Sequence, residues 1–392
     1  MKQKALIAPV TLNLLGTIVG AGVFGLPAVF AETGILGGSL LYIGIITISI
    51  IIHLLYVEVI LGVRGSHRIP GYALKLIGPK SYWIAVFSNF LKMAGTSLAY
   101  IILGGEFLSI FASGIGVWDN SFVWSLLFWV TGSIIVFFGL RFVSHIESDL
   151  TAILIGFMIF SAIVLFPFFD WNMVAEIHAH KFAMAIGIMF FSVTGMTVLP
   201  ETVEIASRKR RPTQIGVSLG IIFAGIFSWI FGVSITLAYP GISDVRGIQL
   251  AFPPIFWWLI PLIGILAVGT SFITFTQAFK NMMHFDLKVP KLPSWLISVG
   301  MPILLYLFVS RNFLATIGFI GSVLTAINGF IVCLCAYKVL QKPKRFKSWI
   351  DKFLPGSPKT RGALNSFWQA VAIPMMFVLL FIILQYLVAN LF

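Results

Sequence analysis

The chain has 392 residues, of which 59% are hydrophobic and only 10% are charged, and its mean hydropathy is +1.02. This composition leaves too little polar surface to cover a soluble globule, so it excludes a soluble enzyme and indicates a polytopic membrane protein. We attribute the net charge of +13 to membrane topology and expect no nucleic-acid partner, although the run RKRR at 208–211 is basic.

Apolar segments long enough to cross about 30 Å of hydrocarbon, each of roughly 20 residues or more, recur along the whole chain. Their approximate limits are 6–33, 36–63, 81–114, 121–140, 149–168, 181–206, 213–239, 250–284, 294–310, 313–337 and 365–390. We therefore predict an all-α polytopic membrane protein with about eleven transmembrane helices.

The first of these spans contains an unusual run, residues 16–27, which reads GTIVGAGVFGLP and holds four glycines and a proline. In the bilayer every backbone N–H and C=O needs a partner, so an unwound stretch survives only where protein or a polar ligand completes it. The run therefore predicts a broken helix with a binding site near mid-membrane. It also fits the dinucleotide pattern GxGxxG, but no strand precedes it, and we regard that match as a coincidence.

Lysine and arginine predict the orientation, because short loops rich in these residues stay on the cytoplasmic side. With the N-terminus inside, 22 of the 26 basic residues fall in cytoplasmic segments: Lys2 and Lys4, Arg64 to Lys80, Arg141, Arg208 to Arg211, Lys280 to Lys291, and Lys338 to Arg361. We expect a multi-pass protein of the cell membrane with a cytoplasmic N-terminus. An odd number of spans then places the C-terminus outside.

A second interruption is predicted in span six, where residues 190–201 read FFSVTGMTVLPE around Gly195 and Pro200. Five spans that start inside finish outside, so a following unit of five runs in the opposite direction, and span six is its first helix. Paired interruptions of this kind point to a transporter site at the interface of inverted repeats. The alternative is that the glycines only let helices pack closely. We divide the chain into a first repeat at 1–170, a second at 171–345, and a basic cytoplasmic loop with an additional span at 346–392.

The two predicted breaks suit a zwitterion, because helix N-termini present free N–H groups and helix C-termini present free carbonyls. The N–H groups near Gly22 would face an anion, and the carbonyls near Gly16 and Val19 would face a cation. In span six, the carbonyls of the outer half would face an ammonium group. The candidate substrate-binding residues are Gly20, Ala21, Gly22, Phe191, Ser192, Thr194 and Gly195.

Four motifs carry a resemblance to a known family: TIVGAGVFGLP in span one, FFSVTGMTVLPE in span six, IPGYALKLIG after span two and FKNMMHFDLKVP at the end of span eight. In these motifs the sequence resembles the amino acid/auxin permease-like branch of the amino acid-polyamine-organocation transporters, close to bacterial aromatic amino acid permeases. The resemblance implies a LeuT-type fold of 5+5 inverted repeats, with substrate held between broken helices one and six. It also implies amino acid transport driven by sodium or protons.

The coupling ion is open between sodium and protons. Residues 267–271 read AVGTS, which is similar to the sodium site of sodium-coupled relatives, where it acts with carbonyls that match Gly16 and Val19. The candidate ligands in span eight are Ala267, Thr270 and Ser271, and an all-oxygen shell suits a hard cation. Such hydroxyls also commonly bond their own helix backbone. Some proton-coupled relatives replace this ion with a lysine in span five, and residues 149–168 contain none. No other cofactor or metal is expected.

Ionisable residues inside spans are candidates for gating or proton transfer, because charge in hydrocarbon is costly. Lys92 lies within span three, and Glu58, near the inner end of span two, is its expected neighbour. We expect a structural ion pair between them or a snorkelling lysine, with a proton relay as the alternative. Glu201 follows the break in span six and is a candidate inner gate, with a surface ion pair as the alternative. Glu106 lies nearer the outer end of span three, and His53 in span two is expected to be a hydrogen-bonded core residue.

We therefore expect a secondary active importer of a zwitterionic amino acid, with an aromatic or large apolar side chain, that works by alternating access. The alternatives are a proton-coupled or exchange transporter of another small amine or organocation, and a membrane amino acid sensor that does not translocate. A membrane enzyme is disfavoured because no constellation of catalytic residues stands out. Beyond the substrate and the lipid bilayer no partner is predicted, and the oligomeric state is left open.

Overall fold

The structure is a computed structural model that describes residues 4–65, 67–138, 143–242, 244–341 and 358–391. Parts of several predictions lie outside these residues: Lys2, Arg141 and residues 342–357 of the basic segments, and residues 346–357 of the predicted third unit. Regular structure in the described chain is helical throughout.

Sixteen α-helices follow one another along the described chain, and two of them continue into a π-helical stretch. Their bounds are α1 Ile7–Ile18, α2 Leu26–Thr33, α3 Ile35–Gly62, α4 Ile69–Leu76, α5 Pro79–Gly114, α6 Ser121–Phe138, α7 Val143–Leu165, α8 Phe182–Ser192, α9 Leu199–Ile205, α10 Arg210–Ala238, α11 Val245–Leu250, α12 Leu259–Asn281, α13 Lys291–Phe308, α14 Phe313–Phe319, α15 Ala326–Leu340 and α16 Pro358–Leu391. The π-helical stretches are Met282–Asp286 after α12 and Ile320–Thr325 between α14 and α15.

Ten helical segments in the described residues are long and apolar enough to cross a membrane, and the bent pair α1–α2 makes up to eleven. The predicted number of spans is therefore confirmed. The outside of the bundle is apolar as well: Trp83 is 65% exposed, Phe138 82% and Phe377 68%. Side chains of this size are left exposed because their surroundings are lipid rather than water.

The helices that carry the two breaks lie in the middle of the bundle. Helix α1 packs along α10, α8 packs against α3 and against the π-helical stretch before α15, and α5 packs along α12 and α6. Much of α5 is buried, whereas α6 and α16 are largely exposed. The long helices α3, α5, α10 and α12 thus surround the short broken ones.

One interruption was not predicted, namely the π-helical stretch Ile320–Thr325 in what the sequence indicates as the continuous span 313–337. It lies where two backbones touch, because a Cβ on Gly321 would overlap the Gly187 carbonyl of α8. A Cβ on Gly187 would in turn overlap the Gly318 carbonyl. The loosened helix thus accommodates a glycine-to-glycine crossing, and π-helical turns frequently occur at functional sites.

Candidate functional site

The first interruption separates α1 from α2. Helix α1 ends at Ile18, the backbone of Val19 and Gly20 is extended, and a short 3-10 stretch, Ala21–Gly25, leads into α2. The helix axis bends by 49° across the break. The last carbonyls of α1 therefore have no helical N–H partners, as is general at a helix C-terminus.

The second interruption separates α8 from α9. Helix α8 ends at Ser192, the segment 193–195 is not helical, and a 3-10 turn over Met196–Val198 precedes α9. Pro200 lies in the first turn of α9, where its missing N–H costs nothing. Both helices predicted to be broken are thus interrupted at the predicted places.

The two interruptions contact each other. A Cβ on Gly22 would lie 3.0 Å from the Ser192 Cα and 3.1 Å from the Phe191 ring, so the absence of a side chain at Gly22 lets the two segments approach this closely. On the other side, a Cβ on Gly195 would lie 2.7 Å from Leu14 of α1. The 3-10 segment after α1 therefore lies against the end of α8, and the unwound segment 193–195 lies against α1.

Helix α3 supplies polar partners for the second break. Ser49 donates a hydrogen bond to the Val193 carbonyl at 2.7 Å, and Gly195 N–H donates to His53 Nε2 at 3.0 Å. The Tyr42 hydroxyl lies 3.2 Å from the Ser192 hydroxyl. The sequence indicated a hydrogen-bonded histidine at position 53 but not that its partner is the break itself.

A cavity of about 350 Å³ lies beside the breaks, on the side where α1 begins, which we call the N-terminal face. It is lined by Leu12, Asn13, Gly16, Thr17, Thr151, Thr197, Val198, Ser271, Thr274, Phe275 and Ala278. Leu12 is 65% exposed although it belongs to a central helix, so the cavity is open rather than sealed. Its size lies within the range of small-molecule pockets.

Only two of the predicted site residues, Gly16 and Ser271, line this cavity. The predicted substrate-binding residues Gly20, Ala21, Gly22, Ser192 and Gly195 are buried at the contact between the breaks, whereas Phe191 and Thr194 are partly exposed. Sequence reasoning missed the polar lining residues Asn13, Thr17, Thr151, Thr197 and Thr274, because it cannot tell which face of each helix points inward.

Hydroxyl groups from two further helices converge on the glycines of the first break. A Cβ on Gly16 would lie 3.3 Å from Thr151 Oγ1 of α7, and a Cβ on Gly20 would lie 3.3 Å from Ser271 Oγ of α12. Thr274 Oγ1, also on α12, is buried without a hydrogen-bond partner among the described residues. Oxygen atoms of this kind suit a hard monovalent cation.

The other residues predicted for the sodium site are less well placed. Thr270 Oγ1 donates to the carbonyls of Leu266 and Ala267, at 3.0 and 3.2 Å, and Ser271 Oγ donates to the Ala267 carbonyl at 2.8 Å. Both hydroxyls thus bond their own helix, which is the alternative that the sequence left open. Ser271 also faces Gly20, whereas Thr270 does not line the cavity.

The expectation that Glu58 neighbours Lys92 as an ion-pair partner is wrong. Glu58 Oε1 accepts hydrogen bonds from Arg210 Nε and Gln214 Nε2, each at 2.7 Å, and its side chain is fully buried. The sequence placed Arg210 in a surface loop. The structure places it at the first turn of α10, directly beside the end of α3, where it neutralises the carboxylate.

Lys92 has no ion-pair or hydrogen-bond partner within the described parts of the chain, although only 7% of the residue is exposed. It lines a cavity of about 20 Å³ together with Tyr56, Arg68, Asn89 and Thr197. That volume holds about one water molecule. Its charge is close enough to His53 to affect that side chain electrostatically.

Glu201 forms an ion pair with Arg68 at 2.9 Å, and the same arginine donates to the Thr197 carbonyl and lies 4.0 Å from Asp286. The loop before α4 is thereby tied to α9 and to the end of α12. More than half of the Glu201 side chain is exposed, so both alternatives for Glu201, gate and surface pair, remain compatible with its position. Glu204, one turn before Arg208, forms an ion pair with it at 2.7 Å.

Aromatic rings fill the bundle on the face opposite to the N-terminal face. Phe24 packs edge-on against Phe107 and Phe231, at 4.9 and 5.9 Å between ring centroids, and Phe157 stacks on Phe252 at 6.1 Å. These five side chains are at most 4% exposed. Among the described residues, these rings are closely packed between the first break and the opposite face.

An ion pair fastens the loops above these rings. Arg246 donates to both carboxylate oxygens of Asp119, at 3.0 and 2.8 Å, and so joins the loop after α5 to α11. Hydrogen bonds from Arg246 and from the Ser109 hydroxyl hold the pKa of Asp119 below its usual value. Glu106 on α5 lies close enough to interact electrostatically with Arg246.

Because the folded state lowers the pKa of Asp119, the stability that this pair contributes is present above the unfolded pKa of about 3.9 and is lost only as the pH falls through the folded value. We expect Asp119→Asn to cost at most about 1 kcal/mol, since both side chains are more than 40% exposed. The cost should be equal at pH 5.5 and pH 8. Melting temperatures in detergent at the two values test this, and a cost that shrinks by half at pH 5.5 would contradict it.

Comparison with solved structures shows the LeuT fold. The chain superimposes on the inward-facing conformation of Mhp1 with a TM-score of 0.67 at 12% identity, covering 98% of this chain and 89% of that one. It superimposes on MhsT in complex with L-phenylalanine with a TM-score of 0.61 at 17% identity, covering 95% and 98%. Both neighbours are LeuT-fold transporters, so the predicted fold with broken helices one and six is confirmed.

Comparison of sequences shows the family. Glutamine transporter 2 of Aliivibrio fischeri is 23% identical over 332 residues, which are 82% of this chain and 86% of that protein. The model of the tryptophan/tyrosine permease family matches residues 2–233, more than half of the chain. The chain therefore belongs to the tryptophan/tyrosine permease family and is a membrane transporter rather than an enzyme.

Proposed function

We propose that this protein is a secondary active transporter that imports a zwitterionic amino acid by alternating access. The observation that carries the proposal is the direct contact between the two breaks, Gly22 against Ser192, beside an open polar cavity. Free N–H groups of one helix and free carbonyls of the other then face the two charged groups of one small solute. We place the family in the amino acid-polyamine-organocation superfamily on the same motifs that suggested it in the sequence.

The substrate we propose is an amino acid with an aromatic or large apolar side chain. Phe191 supports this choice, because its ring lies against Gly22 and is partly exposed beside the break. An aromatic wall binds an aromatic or aliphatic side chain by offset or edge-on packing. The family name and a phenylalanine complex in a structural neighbour are consistent with the same substrate class.

The proposed orientation places the N-terminal face in the cytoplasm and the C-terminus outside, as the basic residues predict. The cavity on that face is open, and the opposite face is closed by aromatic rings and the pair of Asp119 with Arg246. This arrangement corresponds to the inward-facing stage of the transport cycle. The repeats at 1–170 and 171–345 are the units that we propose to move against each other.

Uptake into proteoliposomes tests the proposal. We expect labelled tryptophan, tyrosine or phenylalanine to accumulate when a sodium or a proton gradient is imposed, each gradient being applied separately. Competition by unlabelled amino acids would then rank the side chains. Absence of accumulation with every amino acid under both gradients, in vesicles that contain inserted protein, would refute the function.

We propose sodium as the coupling ion, with protons as the alternative. The hydroxyl groups of Thr151, Ser271 and Thr274, which lie together near the first break, favour sodium. We expect Ser271→Ala to raise the sodium concentration for half-maximal uptake about tenfold, which is 1.4 kcal/mol of lost ion binding. Thr270→Ala should act in the same direction and more weakly, because its hydroxyl does not line the cavity. The measurement is uptake against sodium concentration.

The matched control is Ser234→Ala in α10, a buried serine whose hydroxyl bonds only its own helix, at 2.6 Å to the Ile230 carbonyl. It should leave the sodium response unchanged. Should uptake by Ser271→Ala depend on sodium as it does in the wild type, the sodium site does not lie at these hydroxyls. Should uptake by the wild type not depend on sodium at all, protons become the coupling ion.

A further inference from the structure

The unwound segment between α8 and α9 depends on one side of α3 for its shape. Tyr42, Ser49 and His53 are spaced seven and four residues apart, so they share a helix face. All three are at most 1% exposed, and each contacts a different residue of the segment 192–195. The backbone hydrogen bonds that the segment makes itself are long, from the Val193 N–H to the Phe190 carbonyl at 3.4 Å and from the Val198 N–H to the Gly195 carbonyl at 3.3 Å, so helix α3 supplies its shorter contacts.

His53 is bonded through both ring nitrogens. Nδ1 lies 2.7 Å from the Ser49 carbonyl oxygen, which only accepts, so Nδ1 carries the proton. Nε2 lies 3.0 Å from the Gly195 nitrogen, which only donates, so Nε2 is bare. The partners thus fix a neutral imidazole whose acceptor is aimed at the break.

The Val193 carbonyl and the Gly195 N–H, which bond to Ser49 and His53, have no other hydrogen-bond partner within α8 or α9 among the described residues. Ser49 Oγ donates to the Val193 carbonyl at 2.7 Å, beyond the last helical hydrogen bonds of α8. A buried N–H or C=O left without a partner costs about 1–3 kcal/mol, more than the net gain from forming an ordinary hydrogen bond. Losing His53 would therefore make the segment rearrange rather than stay in place.

A rearranged segment would disturb both sides of the site. Gly195 packs against Leu14 and Ile18 of α1, and Phe191, just before the segment, packs against Gly22. Between them, Thr194 is partly exposed, and its Oγ1 has no hydrogen-bond partner among the described residues. The face of α3 thus determines where the free polar groups of this break point.

We propose that His53 is a positioning residue of the substrate site, which holds the unwound segment 193–195 in its binding shape by accepting the Gly195 N–H. It acts together with Ser49, which holds the Val193 carbonyl. It does not itself contact the substrate. This inference deepens the proposed function and rests on it where amino acid binding is the readout.

Three substitutions of His53 distinguish its hydrogen bond to the Gly195 N–H from its hydrogen bond to the Ser49 carbonyl. Gln places its amide oxygen near the position of Nε2 and keeps an acceptor for Gly195, whereas Asn reaches only the position of Nδ1, and Leu offers neither. We expect Leu and Asn at position 53 to weaken binding of the best amino acid at least tenfold, and His53→Gln to stay within threefold of the wild type. Binding is measured on purified protein, with KM and kcat of uptake beside it.

A merely structural role would not produce this pattern. Asn can keep the hydrogen bond to the Ser49 carbonyl but cannot reach the Gly195 N–H, and yet we expect it to weaken binding as much as Leu does. The effect should appear in KM rather than kcat. Ser49→Ala should weaken binding as well, whereas Ser161→Ala, equally buried but bonded only to its own helix at 2.7 Å, should not. Ser161 is the matched control for loss of one buried hydroxyl.

Hydrogen exchange gives a readout that needs no substrate. The Gly195 amide, followed in peptides that cover residues 190–198, should exchange at least tenfold faster in the Leu and Asn variants and at the wild-type rate in the Gln variant. A smaller loss of binding in His53→Leu, or a Gln variant no better than Leu, overturns the inference. If the wild type binds no amino acid, the proposed function fails, and exchange at Gly195 alone decides whether His53 holds the break.

Discussion

Leucine in place of Gly22 should abolish substrate binding and uptake while the protein still inserts into the membrane. A Cβ at this position would lie 3.0 Å from the Ser192 Cα, so the added side chain meets backbone rather than a flexible side chain that can turn away. The two breaks would be forced apart, and the N–H groups of one would lose their register with the carbonyls of the other. We expect a loss of more than about 100-fold in uptake, or ~2.7 kcal/mol.

Gly156→Leu is the matched control, because it also adds a leucine to a membrane helix, but nothing lies within 4 Å of a Cβ at this exposed position. It should transport like the wild type. Gly22→Ala should fall between the two, since its single methyl group needs the neighbouring residues to move by only a few tenths of an ångström. Uptake by Gly22→Leu at more than a tenth of the wild-type rate would contradict the assignment of the site.

The number of spans and the two breaks could be predicted from the sequence because each has a local cause. Membrane-length apolar runs are required by the thickness of the bilayer. Glycine and proline loosen a helix wherever they cluster, as at Gly20, Gly22 and Pro200. The breaks appear at these positions in the structure, with a bend of 49° at the first.

Features that depend on contacts between distant residues could not be predicted in this way. The π-helical stretch at Ile320–Thr325 accompanies the close approach of Gly321 to Gly187, which lie 134 positions apart. The hydrogen bond from Gly195 to His53 joins residues 142 positions apart. A histidine or glycine in an apolar run gives no indication of which distant residue it meets.

The cavity illustrates the same limit at the site itself. Hydroxyl residues are frequent in these helices, and the sequence singled out Thr270 and Ser271 from the motif alone. The structure turns Ser271 and Thr274 toward α1 and adds Thr151 from α7, because the rotation of each helix is fixed by packing. The candidate cation site therefore lies beside Gly16 and Gly20. Of its predicted hydroxyl residues, Ser271 remains, whereas Thr151 and Thr274 take the place of Thr270.

The predicted neighbour of Glu58 was wrong for a related reason. The pair that Glu58 forms with Arg210 instead gives the second prediction with a large expected effect, a loss of stability. Glu58 and Arg210 lie at helix ends that meet only in the folded bundle, with side chains 0% and 13% exposed. Removing one member of a buried pair leaves the other charge unpaired and typically costs about 3–5 kcal/mol. We therefore expect Glu58→Leu to lower the apparent free energy of unfolding in detergent by about that amount.

The control for this prediction is Glu204→Gln, which removes a carboxylate from an arginine at the same distance of 2.7 Å, but with half of its side chain exposed. It should cost less than about 1 kcal/mol. Adding Arg210→Met to Glu58→Leu should recover most of the lost stability, because no unpaired charge then remains among apolar neighbours, and Gln214 retains access to water at the start of α10. If Glu58→Leu lowered the free energy of unfolding no more than Glu204→Gln does, this prediction would be contradicted. The pair of Glu58 with Arg210 would then contribute no more to stability than an exposed ion pair.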